Sequence, residues 1–299
     1  MEEFIYLCKK YVKMLGNLDN EIIFKKAFTD KIVFKAFVRD ILGIEIEVDK
    51  IETEKQFKPK IGNIDFNSNG CRLDIFAESV DKRIIVEIQR VEYDHNFDRF
   101  LHYFLMAITE QQRRSKEYGI NQTVYLIVVL TAPYKIVEKN GKPILDEVLL
   151  LKLNPRILKD EERELFGHQF VCLNPNHPEK DTPKKPIRDW LDLIYQSIYN
   201  SGRPVINLQN EGIRRAAELI EIDNISPEEL ELKKKTEAGK IAKTIYENAA
   251  REEGIEIGIE EGIVLVAKNA IKAGMPEETV SQITGLSIEQ IRKIKAEMN

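Results

Sequence analysis

Two apolar segments that alternate with a period of two carry carboxylates inside them, and this constrains the fold of the 299-residue chain more than any other feature. The segments are Arg72-Leu73-Asp74-Ile75-Phe76 and Ile84-Ile85-Val86-Glu87-Ile88-Gln89. A strand turns successive side chains to opposite faces, so Val86 and Ile88 anchor one face in a core while Glu87 and Gln89 share the other. A hairpin about Asp81-Lys82 brings Asp74 alongside, so that two carboxylates and an amide converge beside a central sheet. Carboxylates held together repel and lose hydration, and a bound divalent cation is what usually makes such a cluster tolerable. Oxygen ligands favour Mg²⁺ or Mn²⁺ over zinc. Spacing alone leaves a second arrangement open, an edge hairpin whose polar residues face water.

The surrounding pattern is that of an α/β protein. From Glu21 to about Leu42, apolar residues recur at helical spacing and Gly43 supplies a stop, which predicts a buried helical pair or one broken helix. Ile44, Ile46 and Val48 then alternate and predict a first strand, followed by strands through Leu73, Ile75 and Ala77 and through Ile84, Val86 and Ile88. A helix is expected from about Asn96 to Tyr118, ended by Gly119, and a strand over Val124–Leu130, closed by Pro133. The order helix, three strands, helix, strand builds a small α/β sandwich. Residues 154–204 read as loop-rich and punctuated by prolines, apart from a helix around Ile187–Tyr199 that holds the only tryptophan, Trp190.

From about Ala238 the chain reads as helix and contains its one internal repeat, Gly254-Ile255, Gly258-Ile259 and Gly262-Ile263. Each glycine costs a helix about 1 kcal/mol relative to alanine. Close approach of a second helix would recover that, and a solvated linker helix is the plainer alternative. Residues 273–291 look like a helix-turn-helix, with Pro276 at a first helical position, Gly285 in the turn and a Ser287/Gln290 capping box. Residues 268–299 carry five basic and four acidic side chains, which leaves helical packing or dimerisation open beside DNA reading.

The formal net charge of -5 is not that of a protein that coats nucleic acid. The surplus is local, however, because residues 251–263 hold five glutamates against one arginine. Cys8, Cys71 and Cys172 are too few and too scattered for a disulfide framework or a zinc site, which suits a reducing cytoplasm. The start, MEEFIYLCKKYVKMLG, lacks a signal peptide's basic beginning and unbroken apolar run, and Val124–Leu130 is far short of the ~20 residues that cross a bilayer. His95 and His102 have no third nitrogen or sulfur ligand at a usable spacing. No phosphate loop, dinucleotide fingerprint or nucleophile elbow is present, so no nucleotide cofactor is expected.

Asp74 followed by Glu87-x-Gln89 on an apolar strand resembles the PD-(D/E)XK nuclease superfamily, with glutamine for the usual lysine. More closely, the chain resembles the Rpn-type recombination-promoting nucleases, transposase-like members of that superfamily. Their first helix carries an acid before Phe-Lys, matched by Glu21-Ile-Ile-Phe24-Lys25 with Glu for the commoner Asp. The segment Phe97-Asp-Arg99-Phe-Leu-His-Tyr103 resembles their Phe-x-Arg-x-x-x-Tyr helix. The resemblance implies a restriction-endonuclease-like PD-(D/E)XK core of α-β-β-β-α-β order with a helical C-terminal tail. The nuclease-like domain with its Pro-rich extension would span 1–200, a helical connector 201–237, and the tail 238–299.

By the same resemblance Asp74 and Glu87 are metal ligands, with Glu87 or the carbonyl of Ile88 reaching a Mg²⁺ (or Mn²⁺) ion, and Glu21 is an outer acid. Gln89 can place a water but cannot take its proton, so the general base stays open between a second metal-bound hydroxide, Glu21 and bulk solvent. Arg99 and Tyr103, four apart on one helical face, would clamp a DNA phosphate. Alternatively, Arg99 pairs with a buried carboxylate and holds its helix on the sheet. The implied function is a cytoplasmic, metal-dependent DNA endonuclease that promotes recombination or acts on foreign DNA, dimeric through its tail. A non-catalytic oligomeric interaction protein or a DNA-binding regulator with the same fold is the alternative.

Overall fold

The computed structural model describes residues 14–57, 60–61, 64–65, 71–90, 96–111, 119–131, 136–144, 146–176, 184–232, 234–235, 238, 258 and 261–298. Cys8 and most of the N-terminal stretch, His95, residues 112–118 of the expected long helix, Pro133 and most of the Gly-Ile repeat lie outside them. The chain divides into two compact units, Met1–Leu230 and Glu231–Asn299.

Helices α1 (Glu21–Phe28) and α2 (Lys31–Leu42) are a pair, not one broken rod, because Asp30 caps the second helix. Its carboxylate accepts from the N–H groups of Ile32 and Val33 at 3.0 and 3.3 Å, as Asn20 does for Ile22 in α1. Gly43 closes α2 at φ 70°, a left-handed position that suits glycine.

The central sheet has six strands: β1 (Ile51–Phe57), β2 (Cys71–Glu78), β3 (Lys82–Gln89), β4 (Thr123–Leu130), β5 (Val148–Leu153) and β6 (His168–Leu173). Their spatial order is β1-β2-β3-β4-β6-β5. β1, β2 and β3 run antiparallel, β4 lies parallel to β3 and β6, and β5 closes the edge antiparallel. Helix α3 (Asn96–Thr109) lies in the crossover that the parallel β3–β4 pair requires. Val124, Leu126, Val128 and Leu130 of β4 pack with Phe100 and Phe104 of α3. Tyr125, Ile127 and Val129 face a second core shared with α1, α2, α4 (Lys185–Tyr199) and α5 (Glu211–Ile220). Burial on both faces explains the unbroken apolar run of this strand.

The order α-β-β-β-α-β stands, but its first strand is not the expected one. The described residues form no strand over 44–48; Ile46 and Val48 are single side chains set into the core. The first strand is instead Ile-Glu-Thr-Glu-Lys-Gln-Phe, an edge strand whose partial exposure permits a polar sequence. The loop-rich stretch likewise conceals β6, whose short run Phe170–Leu173 is buried between β4 and β5. Helix α5, in the segment expected to be a connector, lies in the main core.

An aromatic chain ties these helices together. Phe24 stacks on Phe28 at 4.3 Å, Phe28 meets Phe37 edge-on at 4.9 Å, and Phe37 meets Trp190 at 5.1 Å. The Trp190 indole N–H donates to Asp40 at 2.9 Å.

In the second unit, residues 261–272, α6 (Glu277–Thr284) and α7 (Ile288–Glu297) bury Ala267, Ala270, Val280, Ile291 and Ile294 together. Gly285 sits at φ 74° and Ser287 with Gln290 forms the capping box, while Pro276 is the residue before the helix rather than its first. Among the described residues no helix is long and apolar enough to cross a membrane.

Helix α5 approaches α2 so closely that a Cβ on Gly212 would lie 2.3 Å from that of Ala36 and 3.1 Å from the Trp190 ring. Gly212→Ala should therefore lower stability by about 1–3 kcal/mol, and adding Ala36→Gly should recover most of it. Denaturant titration followed by Trp190 emission tests this, and an unchanged midpoint in Gly212→Ala would refute the close contact.

Candidate functional site

The site forms where the sheet ladder opens. β1 pairs with β2 through Thr53–Ile75 and Lys55–Leu73, which sets Glu54 opposite Asp74 without a bonded pair between them. Glu54 is one of two described non-glycine residues with positive φ, at 60°. The alternation of β2 inverts at the same point: Cys71 and Leu73 belong to the α3-side core, Ile75 and Ala77 to the opposite one. Leu73, Ile75 and Ala77 therefore do not share a face, contrary to what strict alternation predicts.

The β2–β3 ladder ends at Ile75–Val86. Beyond it, side chains replace the backbone partners. The Asp74 N–H donates to Glu87 Oε1 at 2.9 Å, and the Ile88 N–H donates to Asp74 Oδ2 at 3.0 Å. Val86 and Ile88 lie in the core shared with α1, which leaves Glu87 and Gln89 on the α3 side. The group of Ile88 that meets Asp74 is its amide.

Helix α1 brings the next two groups. Ile23, Phe24, Ala27 and Phe28 are buried, so Glu21 and Lys25, one turn apart, occupy the remaining face. Just before the helix, Asp19 accepts from Arg90 at 3.0 Å and from the Thr131 hydroxyl at 2.6 Å. This fastens the start of α1 to the ends of β3 and β4. Lys25 Nζ then lies 2.7 Å from Glu21 and 3.6 Å from Asp74, and pairs with Glu54, which also pairs with Arg72. Carboxylate oxygens of Glu21, Glu54 and Asp74 all fall within 4.8 Å of one another.

Helix α3 supplies the other side. With Phe100 and Phe104 in the core, Arg99 donates to the Gln89 Oε1 atom, and its guanidinium lies 4.9 Å from the Phe100 ring and 5.8 Å from that of Tyr103. The Arg99 Nε is buried and has no hydrogen-bond partner among the described residues.

Burial dominates the electrostatics. It pushes the Glu87 carboxyl well above its ordinary 4.5, and the neighbouring Asp74 charge pushes it further. Asp74 is also raised, by burial first, against the pull of the Ile88 N–H and the Lys25 charge. For Lys25, burial works downward, but its hydrogen bonds to Glu21 and Glu54 and the Asp74 charge hold it above 10.5, so it stays charged. Burial, with Glu87 adding, pushes the Cys71 thiol up to about 11, so Cys71 is no ready thiolate.

Of the residues singled out from sequence, Glu21 and Asp74 both fall in this cluster, Glu87 is bonded to the Asp74 backbone, and Gln89 is bonded to Arg99. Tyr103 stands beside Arg99, with its hydroxyl pKa raised by burial and by the Glu87 charge. Sequence reasoning missed Glu54 altogether and gave Lys25 no role. Only correct placement of the edge strand could have revealed Glu54, because its neighbours Thr53 and Lys55 carry no sign of a site.

The model of the PD-(D/E)XK nuclease family transposases matches residues 20–244, which include α1, the whole sheet and every side chain just described except Asp19. The chain belongs to this family. Comparisons with curated proteins and with solved structures gave no match. Its six-stranded mixed sheet flanked by helices is a PD-(D/E)XK nuclease-like fold, and membership brings an expectation of metal-dependent nuclease activity. The oxygen-only cluster around Asp74, already seating one cation in Lys25, fits a hard divalent cation.

The raised Glu87 pKa gives this PD-(D/E)XK protein a measurable pH signature. A carboxyl whose pKa is higher folded than unfolded stabilises the fold fully below its ordinary pKa. That contribution disappears as pH rises through the folded value. In EDTA, stability should fall as pH climbs above the ordinary 4.5. Glu87→Gln keeps an acceptor for the Asp74 N–H and should flatten that fall. The variant should be the more stable of the two at pH 8 and differ little at pH 4. Parallel denaturant curves for the two proteins would expose the error.

Proposed function

We propose that the chain is a metal-dependent DNA endonuclease that hydrolyses phosphodiester bonds, promoting recombination or acting on foreign DNA in the cytoplasm. The observation that carries this is the convergence of Glu21, Glu54 and Asp74 at the opening between β1 and β2, with Glu87 behind Asp74, in a chain of the PD-(D/E)XK family.

In this proposal Asp74, Glu21 and Glu54 would hold a Mg²⁺ or Mn²⁺ ion, with Glu87 or the Ile88 carbonyl reaching it as the family resemblance implies. Such an ion supplies Lewis acidity toward the scissile phosphate and lowers the pKa of water. The protein's own groups orient the reaction. The Ile88 and Asp74 N–H groups fix the two strand carboxylates. Arg99, held by Gln89 on the α3 side, contributes positive charge there, and Tyr103 contributes a hydroxyl beside it. Gln89 has no proton to exchange near neutral pH, so it acts by position. The helical tail would join two copies.

One observation favours the alternative, a non-catalytic interaction or DNA-binding regulatory protein that keeps the fold. The residue at the strand position usually filled by lysine is a glutamine already engaged by Arg99.

Nicking of supercoiled plasmid with Mg²⁺, Mn²⁺ or EDTA separates the two. An active enzyme should nick only with metal, and Asp74→Asn should lose roughly 100-fold or more. Metal-independent nicking, or equal nicking by Asp74→Asn, would discard the endonuclease proposal, and no nicking by pure wild-type protein would favour the alternative.

A further inference from the structure

The three carboxylates spaced to hold a metal ion already surround a cation of the chain's own. Lys25 Nζ contacts Glu21, Glu54 and Asp74, the same residues whose oxygens lie within 4.8 Å of one another. Its side chain is only 15% exposed. Helix α1 is seated by Phe24 and Phe28 in the aromatic core and by Asp19 at its start. The lysine stem, by contrast, has four rotatable carbons and can swing on a fixed backbone.

A divalent cation on these oxygens works against the Lys25 ammonium already there. An ammonium and a divalent cation on the same carboxylates would sit at contact distance in a partly buried site, where their repulsion is poorly screened. We propose that Lys25 and the divalent cation compete for the Glu21, Glu54 and Asp74 carboxylates, so that metal entry requires Lys25 to swing out. Lys25 is thus a positioning residue that sets metal affinity and keeps the acidic cluster closed until metal is abundant. This rests on the proposed metal site.

Mn²⁺ titration of the full chain, followed by the electron spin resonance of free Mn²⁺, reads the competition without any nuclease assay. Lys25→Met should bind Mn²⁺ about 10-fold more tightly than wild type. It should melt at a lower temperature in EDTA, where its carboxylates have lost the lysine's charge, yet gain more from Mn²⁺. Lys25→Arg, which keeps the charge, should stay near wild-type affinity. A folded Lys25→Met that binds no more tightly than wild type, while Asp74→Asn abolishes wild-type binding, would overturn the competition and leave the metal site intact. Binding absent from wild type and Lys25→Met alike would overturn the metal site itself.

Should Lys25→Met fail to fold, the unmodified protein still decides. Acetic anhydride labelling of Lys25, read by mass spectrometry, should be slow in EDTA and several-fold faster in saturating Mg²⁺. Labelling that Mg²⁺ leaves unchanged would overturn the proposal.

Discussion

Two carboxylates that each accept a backbone N–H from the neighbouring strand, Glu87 from Asp74 and Asp74 from Ile88, hold the centre of this molecule together. Where the β2–β3 ladder stops, Asp74 and Ile88 would each carry a buried N–H without a partner, a loss of about 1–3 kcal/mol apiece. Glu87 and Asp74 satisfy them reciprocally. The sheet can therefore open at this point and still be saturated, and the groups that close the gap are the ones able to face a cation. Structural integrity and site geometry share the same two side chains.

That solution places charge where water is scarce, and the two helical layers answer it from opposite faces. Helix α1 contributes Lys25 toward Asp74, while α3 contributes Arg99, whose positive charge favours ionised Glu87. Each helix is seated by its own aromatic side chains, Phe24 and Phe28 in one core and Phe100 and Phe104 in the other. A sandwich with helices on both faces is thus what lets cations reach the two carboxylates, and only where the ladder is open can both approach the same strands.

Much of this was legible locally. The helical pair with its Gly43 stop, the hairpin with Asp74 and Glu87, the crossover helix with Arg99 and the capping box at Ser287 all depend on neighbours a few residues away. The misreadings share a cause as well. Ile46 and Val48 alternate in burial yet pair with no strand among the described residues, because burial needs only a core, whereas a strand needs a partner. The edge strand β1 has a partner on one side only and carries few apolar residues. Periodicity put Leu73, Ile75 and Ala77 on one face because it cannot register the inversion at Asp74, which is a property of the β1–β2 pair.

The sequence by itself determined that an apolar hairpin would carry Asp74 and Glu87 between two helices, since alternation, turn chemistry and helical spacing are short-range. Only the tertiary structure decided which groups those carboxylates meet. Lys25 and Glu54 are separated by 29 residues, and Arg90 is joined to Asp19 across 71. Strand pairing and the aromatic core bring them within hydrogen-bonding distance. No local preference encodes such encounters, because they depend on where whole elements pack.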